Sequence, residues 1–420
     1  MTYKLLLALA ASYDLEIEQM DVITAFLYTE LQENVYMEQP IGFTDNNIQH
    51  ICKLNRALYS LKQAPREWYN TLFTFLIELG FKRLESDYSV FIKQDLIIAI
   101  YVDDLLIIGK NTSNIAELKS HLSKRFKMTD LGPIKHYLGM EVIRNRENHT
   151  LILNQTQYLT QVLKRFNMHN SKQVYVPIDP SLTLQKSTTQ AIKEDIKYFQ
   201  SAIGSLMYAM LETRPDIAYA VAKLSQFASN PNDIHLKALK HLFRYIKGTL
   251  HYRLHYSKSN VPNIELKGYS DANWGGDLEE RKSTSGYLFY INNNLISWSS
   301  KKQPTVALSS CEAEYMALTQ ATKECIWLTR LLAELGYPLN KTPIILEDNQ
   351  SAIALANNLE FYNRVKHIDI QYHFIREKVN TGQIEVIYIQ TEEMAADGLT
   401  KPLSKVKFKD FTKSLKIDAF

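Results

Sequence analysis

The sequence predicts an α/β (α+β) fold in more than one domain. Strand-length apolar runs alternate along the chain with segments whose apolar residues recur at helical spacing. The 420 residues are 45% hydrophobic and 22% charged, as in globular chains long enough for two or three cores. No apolar run reaches the length of a membrane span, so we expect no membrane partner.

Charge and cysteine content narrow the class of protein only slightly. The formal net charge of +3 permits a nucleic-acid partner without requiring one. The three cysteines, Cys52, Cys311 and Cys325, have neither paired nor metal-like spacing. We therefore expect reduced thiols in an intracellular protein.

The first residues, MTYKLLLALAAS, contain the short apolar run of a signal peptide. Leu5, Leu6 and Leu9 nevertheless fall at helical spacing, and Leu15 and Ile17 carry the apolar pattern into the next element. This continuity favours an amphipathic helix, with a cleaved signal as the alternative.

Two adjacent acids interrupt an otherwise apolar stretch at residues 95–110. The apolar runs 97–102 and 105–108 meet at Asp103 and Asp104, which predicts a buried hairpin with both acids at its tip. Like charges held side by side require either a proton or a cation. The pattern is therefore consistent with a divalent metal site or with an ordinary Asp-Asp turn.

Other elements decide between these alternatives. A strand carries the single acid Asp21, a helix begins near Pro65, and a further helix over 114–126 has an Asn114/Glu117 capping pattern. A second hairpin is predicted over 136–153. If the strands are neighbours, Asp21 joins the pair at residues 103 and 104, and three carboxylates can bind two divalent ions for in-line nucleotidyl transfer.

The middle of the chain is predicted to be helical. A helix over 155–168 directs Lys164 and Arg165 outward, either as a solvated face or toward duplex phosphates. Prolines at 177 and 180 indicate a linker, and three helices follow over 201–249.

A second set of acids follows. The predicted order is a strand with Asp271, two more strands, a long helix from Ser309 or Ser310, a strand ending in Asp348, another strand, and a helix bearing Asp397. Glu312 and Glu314 lie about 200° apart on the long helix, so only one of them can face a site.

The motifs MDVITAFL, SLKQAPREWY, YVDDLLIIG and YLGMEV, in this order, resemble the reverse transcriptase domain of copia-type LTR retrotransposons. The resemblance implies that Asp21, Asp103 and Asp104 are polymerase metal ligands, with Asp104 less directly engaged. It implies that Phe26 excludes the 2′-OH of a ribonucleotide, although a core phenylalanine is the alternative. Further implied contacts are those of Gln63 with nucleotide and template, and of Gly139 and Met140 with the primer end.

The order of the second half resembles an RNase H fold with a five-stranded mixed sheet. This resemblance implies that Asp271, Glu314, Asp348 and Asp397 hold two Mg²⁺, with Mn²⁺ as an alternative, and the family pattern selects Glu314 over Glu312. The loop before Asp397 lacks the histidine that many such nucleases have. His367 and His373 lack metal-site spacing, so we expect there either a helix that places Arg364, Lys366 or Arg376 near the substrate or a purely structural helix.

We therefore expect four parts. They are a palm with truncated fingers (1–153), a thumb-like and connecting helical segment (154–262), an RNase H-like domain (263–402) and a basic C-terminal tail (403–420). The expected function is an RNA-directed DNA polymerase coupled to ribonuclease H, weakened as a polymerase by the missing fingers.

The expected partners are an RNA template, a DNA primer, deoxynucleoside triphosphates and RNA–DNA hybrid, in cytoplasmic virus-like particles or the nucleus. The oligomeric state is left open. The alternative from another class is a non-catalytic nucleic-acid-binding relic or a domesticated scaffold.

Overall fold

The computed structural model describes residues 1–44, 50–258, 263–357 and 369–417. Its contacts divide the chain into two compact units. One unit spans residues 14–134, and the other combines residues 1–13, which form helix α1 (Thr2–Tyr13), with the chain from residue 135 onward. Helices and several sheets occur throughout, which confirms the predicted α/β class. None of the described helices is long and apolar enough to cross a membrane.

The unit of residues 14–134 is built on a six-stranded antiparallel sheet in the order β4-β5-β6-β7-β1-β8. Its elements are β1 (Glu16–Val22), β2 (Glu30–Glu38), β3 (Ile51–Arg56), α2 (Ala64–Glu78), β4 (Lys82–Arg83), β5 (Val90–Lys93), β6 (Leu96–Tyr101), β7 (Asp104–Gly109), α3 (Thr112–Arg125) and β8 (Met128–Pro133). The predicted acid-tipped hairpin is thus β6–β7. Strands β2 and β3 form a separate two-stranded sheet that the sequence did not predict.

Helices α2 and α3 share one apolar core with this sheet. Trp68 and Leu72 of α2 and Leu118 of α3 are buried in the same cluster as Ile98 and Ile107 of the central strands. Burial on both faces explains why β6 and β7 are almost continuously apolar.

The capping residue of helix α3 lies three residues earlier than predicted. The side chain of Asn111, not Asn114, accepts the backbone N–H of Ser113 at 2.9 Å. Because Asn111 already has extended backbone geometry, it satisfies the helix N-terminus and the Asn114 pattern is not used.

The second unit continues with a four-stranded antiparallel sheet, β12-β11-β10-β9, and a group of helices. The elements are β9 (His136–Tyr137), β10 (Met140–Asn145), β11 (Thr150–Asn154), α4 (Thr156–Arg165), α5 (Lys193–Glu212), α6 (Ala218–Ser225), α7 (Asp233–Gly248) and β12 (Leu254–Ser257). The predicted second hairpin, the irregular linker and the three later helices are all present.

A fully buried ion pair joins these helices. The Arg214 guanidinium donates to both carboxylate oxygens of Asp216, through Nε at 2.9 Å and Nη2 at 2.7 Å. It also donates to the backbone oxygen and the hydroxyl of Thr249. Tyr245 donates its hydroxyl to Asp216 at 2.6 Å. Both charges are therefore removed from water but hydrogen-bonded on several sides.

The remaining elements form a mixed five-stranded sheet in the order β15-β14-β13-β16-β17. They are β13 (Leu266–Asn273), β14 (Thr284–Ile291), β15 (Asn294–Lys302), α8 (Ser310–Glu334), β16 (Ile344–Glu347), α9 (Gln350–Asn357), α10 (Asp369–Asn380), β17 (Glu385–Tyr388) and α11 (Lys405–Ser414). The first three strands are antiparallel, whereas β13, β16 and β17 are parallel. This is the predicted RNase H order. Ser309 caps α8 by accepting the N–H of Glu312 at 3.2 Å.

Helix α1 packs into this same unit. Leu5, Leu6 and Leu9 are all fully buried, so the helix is enclosed rather than amphipathic. Lys4 is buried as well: it donates to the backbone oxygen of Leu211, and its Nζ lies 3.6 Å from the ring centre of Trp298. Burial lowers the pKa of Lys4 to about 7.

The basic C-terminal residues are also part of the packed unit. Phe408 and Phe411 of α11 are buried, and Tyr290 of β14 donates to the backbone oxygen of Ser414 at 3.0 Å. The tail predicted for 403–420 is thus a docked helix over its described part. The two compact units are divided after residues 13 and 134. This division does not test the predicted functional boundaries at 153, 262 and 402, which stay predictions.

Candidate active sites

The β6–β7 hairpin brings the first three predicted acids to one end of its sheet. Asp21 of β1 lies directly opposite Asp104 of β7, and Asp103 occupies the turn. The backbone oxygen of Asp103 accepts the N–H of Val22 at 2.9 Å, which fastens the turn to β1. Two of the three acids therefore come from adjacent strands, as predicted, and the third comes from the turn beside them.

Burial and mutual repulsion affect the charges of these acids. Burial raises the pKa of Asp21, and the neighbouring Asp103 and Asp104 raise it further. Burial also raises the pKa of Asp104, although the Gln19 amide donates to its carboxylate at 3.2 Å and opposes the shift. A cation near this end of the sheet would relieve the repulsion.

Two further predicted residues lie in the same unit. Phe26 is buried, and its ring centre is 4.5 Å from that of Tyr59, whose hydroxyl lies 3.5 Å from an Asp103 carboxylate oxygen. Gln63 donates to Glu33 at 3.1 Å. Sequence reasoning missed Tyr59, because a tyrosine in a loop carries no local signal. The burial of Phe26 suits either a core role or a steric role.

Gly139 and Met140 belong to the other compact unit. Met140 is fully buried, so its side chain is not presented to a ligand. Gly139 has φ +76°, and a Cβ there would lie 2.5 Å from the Tyr208 hydroxyl oxygen. Packing therefore accounts for both residues, and contact with a primer end stays a prediction.

Three of the four later acids meet closely at one edge of the mixed sheet. Asp271 lies near the end of β13, Asp348 directly follows the parallel strand β16, and Glu314 lies in the second turn of α8. One carboxylate oxygen from each lies within 4.8 Å of the others. In the described part of the chain, no other group of three Asp, Glu, His or Cys residues comes so close.

Asp397 adjoins this cluster but lies in a short 3₁₀ helix, Ala395–Leu399, not in the regular helix that was predicted. Together with burial, the charge of Asp397 raises the pKa of Asp271. The Lys401 ammonium lies 2.7 Å from the Asp397 carboxylate. The buried Thr400 hydroxyl donates to Asp271. Gly286 of β14 permits this approach, since a Cβ there would lie 2.8 Å from side-chain atoms of Leu399 and Thr400.

The two glutamates near the start of α8, Glu312 and Glu314, make different contacts. A carboxylate oxygen of Glu312 accepts the backbone N–H of Leu308 at 2.9 Å, so Glu312 closes the start of the helix. Glu314 faces Asp271 and Asp348, and its Oε2 is buried without a hydrogen-bond partner.

Glu347 is a buried acid that sequence reasoning missed. It is fully buried beside Asp348, and its Oε2 has no hydrogen-bond partner. Burial, followed by the charge of Asp271, raises its pKa well above the usual value. The adjacent Glu-Asp pair at a strand end was the available signal. Thr400 and Lys401 were missed too: Thr400 donates to Asp271, which lies on a distant segment, whereas the signal for Lys401 was its spacing of four residues from Asp397.

These residues fit a hard divalent cation. Burial and the charge of Asp397 raise the pKa of Asp271 to about 7, and burial with the charges of Glu347 and Asp271 raises the pKa of Glu314. Carboxylate oxygens are the ligands that Mg²⁺ and Mn²⁺ prefer. The unpartnered Glu314 oxygen supplies a free donor atom in the cluster.

We expect this cluster to make metal-free stability dependent on pH. Because the folded-state pKa of Asp271 exceeds its ordinary 3.8, the stability it contributes is present below about pH 4 and is lost as pH rises to about 7. Thermal melts in EDTA and in excess MgCl₂ should therefore differ more at about pH 8 than at about pH 5. Asp271→Asn should reduce this difference, whereas an equal Mg²⁺ effect at both pH values in the unchanged chain would contradict the assignment.

The predicted basic and histidine segment is only partly described. Arg364, Lys366 and His367 lie outside the described residues. Arg376 is buried and donates to the backbone oxygen of Leu355 at 2.9 Å, which joins α10 to α9. For Arg376, the structure thus shows a packing contact.

The chain combines a palm-like sheet that carries paired acids with a mixed sheet in RNase H order. This combination places it in the class of retroelement proteins that join a polymerase to a nuclease. The family described as "Reverse transcriptase (RNA-dependent DNA polymerase)" matches residues 1–180. The chain belongs to the copia-type retrotransposon Pol polyproteins, as predicted.

The relatives match almost the whole chain. It is 47% identical over 414 residues to the retrovirus-related Pol polyprotein from transposon TNT 1-94 of Nicotiana tabacum, covering 96% of this chain and 31% of that protein. It is 40% identical to the Pol polyprotein from transposon RE1 of Arabidopsis thaliana, covering 98% and 28%. A transposon Ty5-1 protein of Saccharomyces cerevisiae is 32% identical over 311 residues, 73% of this chain and all of that protein. The chain thus spans about a third of the plant polyproteins.

Two solved structures each match 32% of this chain. LC11-RNase H1 in complex with RNA/DNA hybrid is 16% identical, covering 32% of this chain and 94% of that one, with a TM-score of 0.26. LC11-RNase H1 alone is 17% identical with a TM-score of 0.24. The assignment of the RNase H fold rests on the sheet order described above.

Proposed function

We propose that the mixed-sheet domain is a ribonuclease H that hydrolyses the RNA strand of RNA–DNA hybrids. The observation that carries this proposal is the convergence of Asp271, Glu314 and Asp348 within 4.8 Å at the carboxyl end of β16. Membership of a reverse transcriptase family supports the substrate, because copying RNA into DNA leaves such a hybrid.

The residues have distinct proposed roles. Asp271, Glu314 and Asp348 would hold divalent ions, with Asp397 completing the acidic set. Thr400 fixes one oxygen of Asp271 by its hydroxyl donation. Lys401 lies 2.7 Å from Asp397 and neutralises its charge. It would also place a positive charge beside the phosphodiester backbone of the bound hybrid. Two Mg²⁺ bound there would orient a water and stabilise the leaving 3′ oxygen.

Cleavage of a labelled hybrid tests the proposal. The purified chain should cut the RNA strand of an RNA–DNA hybrid in MgCl₂, and it should stop when EDTA is added. RNA–RNA and DNA–DNA duplexes of the same sequence should stay intact. If the folded chain binds the hybrid without cutting it, the non-catalytic relic is the better description.

A second proposed function is RNA-directed DNA polymerisation at Asp21, Asp103 and Asp104. The pairing of Asp21 with Asp104 across β1 and β7 favours it, because this register places three acids at one end of a sheet. Substrates would be deoxynucleoside triphosphates, an RNA template and a DNA primer.

Primer extension on poly(rA) with oligo(dT) tests this second function. Extension by the chain should be lost in Asp103→Asn, which removes one of the converging charges. The exposed Asp410→Asn is the matched control and should extend as the unchanged chain does. Equal extension by Asp103→Asn and the unchanged chain would reject polymerisation at this site.

A further inference from the structure

Trp274 is an exposed aromatic residue whose orientation is held by the protein. Its ring is 54% exposed, whereas its indole N–H donates to the backbone oxygen of Ala307 at 3.0 Å. The donor is therefore satisfied, and the exposed part of the side chain is apolar. The residues on either side of Ala307 are exposed too, Val306 at 43% and Leu308 at 73%.

This apolar surface lies on the same two segments as the acidic cluster. Trp274 directly follows β13 and comes three residues after Asp271, a distance of about 10 Å along a strand. Leu308 directly precedes Ser309, the cap of α8, which carries Glu314 in its second turn. Trp274 and Leu308 thus extend the candidate cleavage site outward from its metal-binding acids.

The geometry matches the spacing of a nucleic-acid strand. A distance of about 10 Å corresponds to about three nucleotide steps along a duplex axis. The exposed face of the indole can pack on the sugars of a duplex without regard to sequence. The exposed Lys301 of β15 supplies a positive charge two strands away from β13. In the strand register it lies opposite Ser285 of β14, which in turn lies opposite Ala272 of β13.

We propose that Trp274 and Leu308 pack against the sugars of the RNA–DNA hybrid a few nucleotides from the cleaved bond. This inference rests on the proposed ribonuclease H function and adds a substrate-positioning surface to it. Neither residue would touch the reacting atoms. Their contribution should therefore appear in hybrid affinity and KM, with kcat nearly unchanged.

Hybrid binding to the Asp348→Asn chain tests the proposal without cleavage. Fluorescence anisotropy of a labelled hybrid should show Trp274→Ala binding about tenfold more weakly or worse, and Trp274→Phe, which keeps a ring face, binding within about threefold of the parent. Ile234→Ala on α7, also an exposed apolar residue, is the control and should bind as the parent does.

Two further comparisons keep the result interpretable. Leu308→Ala alters a side chain that is mostly exposed, so it should fold normally and still weaken binding several-fold. If both Trp274→Phe and Trp274→Ala lose affinity equally, the hydrogen bond to Ala307 is what matters and the proposal is overturned.

Unchanged affinity in the folded Trp274→Ala and Leu308→Ala chains also overturns the proposal, while cleavage by the unchanged chain would leave the ribonuclease function standing. No binding and no cleavage by the unchanged chain would reject both.

Discussion

Asp348→Asn is expected to lower the rate of hybrid cleavage by about a thousandfold or more. Asparagine keeps the size of the side chain but removes one of the three carboxylates that converge within 4.8 Å. The lost charge would weaken the binding of the divalent ions that the proposed reaction requires, and a thousandfold loss corresponds to about 4 kcal/mol of activation free energy. Single-turnover cleavage with Mg²⁺ measures it.

A matched pair on α8 provides the sharpest control. Glu314→Gln should lose cleavage to a similar extent, because its carboxylate faces Asp271 and Asp348. Glu312→Gln, two residues earlier, should keep most activity, since an amide oxygen can still accept the N–H of Leu308. Equal cleavage by Asp348→Asn and the unchanged chain, or the reverse order within the glutamate pair, would reject the assigned site.

Asp216→Ala is expected to lower the free energy of unfolding by about 3–5 kcal/mol. Arg214 is fully buried and stays protonated, so removing its partner leaves an uncompensated charge in the interior. The hydroxyl of Tyr245 loses its acceptor in the same change. Urea denaturation followed by circular dichroism measures the loss.

The control for this change is Asp410→Ala, which removes a carboxylate that is mostly exposed and should shift the free energy by less than about 0.5 kcal/mol. The double change Arg214→Met with Asp216→Leu should recover much of the loss, because no buried charge remains. A shift below about 1 kcal/mol for Asp216→Ala alone would mean that the pair is not enclosed as described.

The sequence predicted those features that depend on local pattern. The β6–β7 hairpin follows from two apolar runs separated by two acids, and α8 begins where Ser309 can cap it. The order of strands and helices in the second half was sufficient to predict the sheet topology. Each depends on residues close together in the chain or on a characteristic order of elements.

What the sequence did not reveal depends on contacts between distant segments. Thr400 donates to Asp271 across 129 positions, and neither residue indicates the other. The burial of Glu347 follows from sheet and helix packing, and so does the docking of α11, whose many lysines indicated only a basic tail. Roles such as metal ligand or primer contact require a bound partner and stay predictions.

Helix α1 has a consequence for the order of events during synthesis. It is translated before residues 14–134, yet the hydrogen bond from Asn294 to Ser12 joins residues 282 positions apart, and the Lys4 bond to Leu211 spans 207. At about 5–20 residues per second, a ribosome needs about 15–60 s to supply the strand that covers α1. Until β11, β12 and finally β15 have been synthesised, the leucine-rich helix is only partly covered, so a chaperone that shields short apolar segments should increase the yield of folded chain.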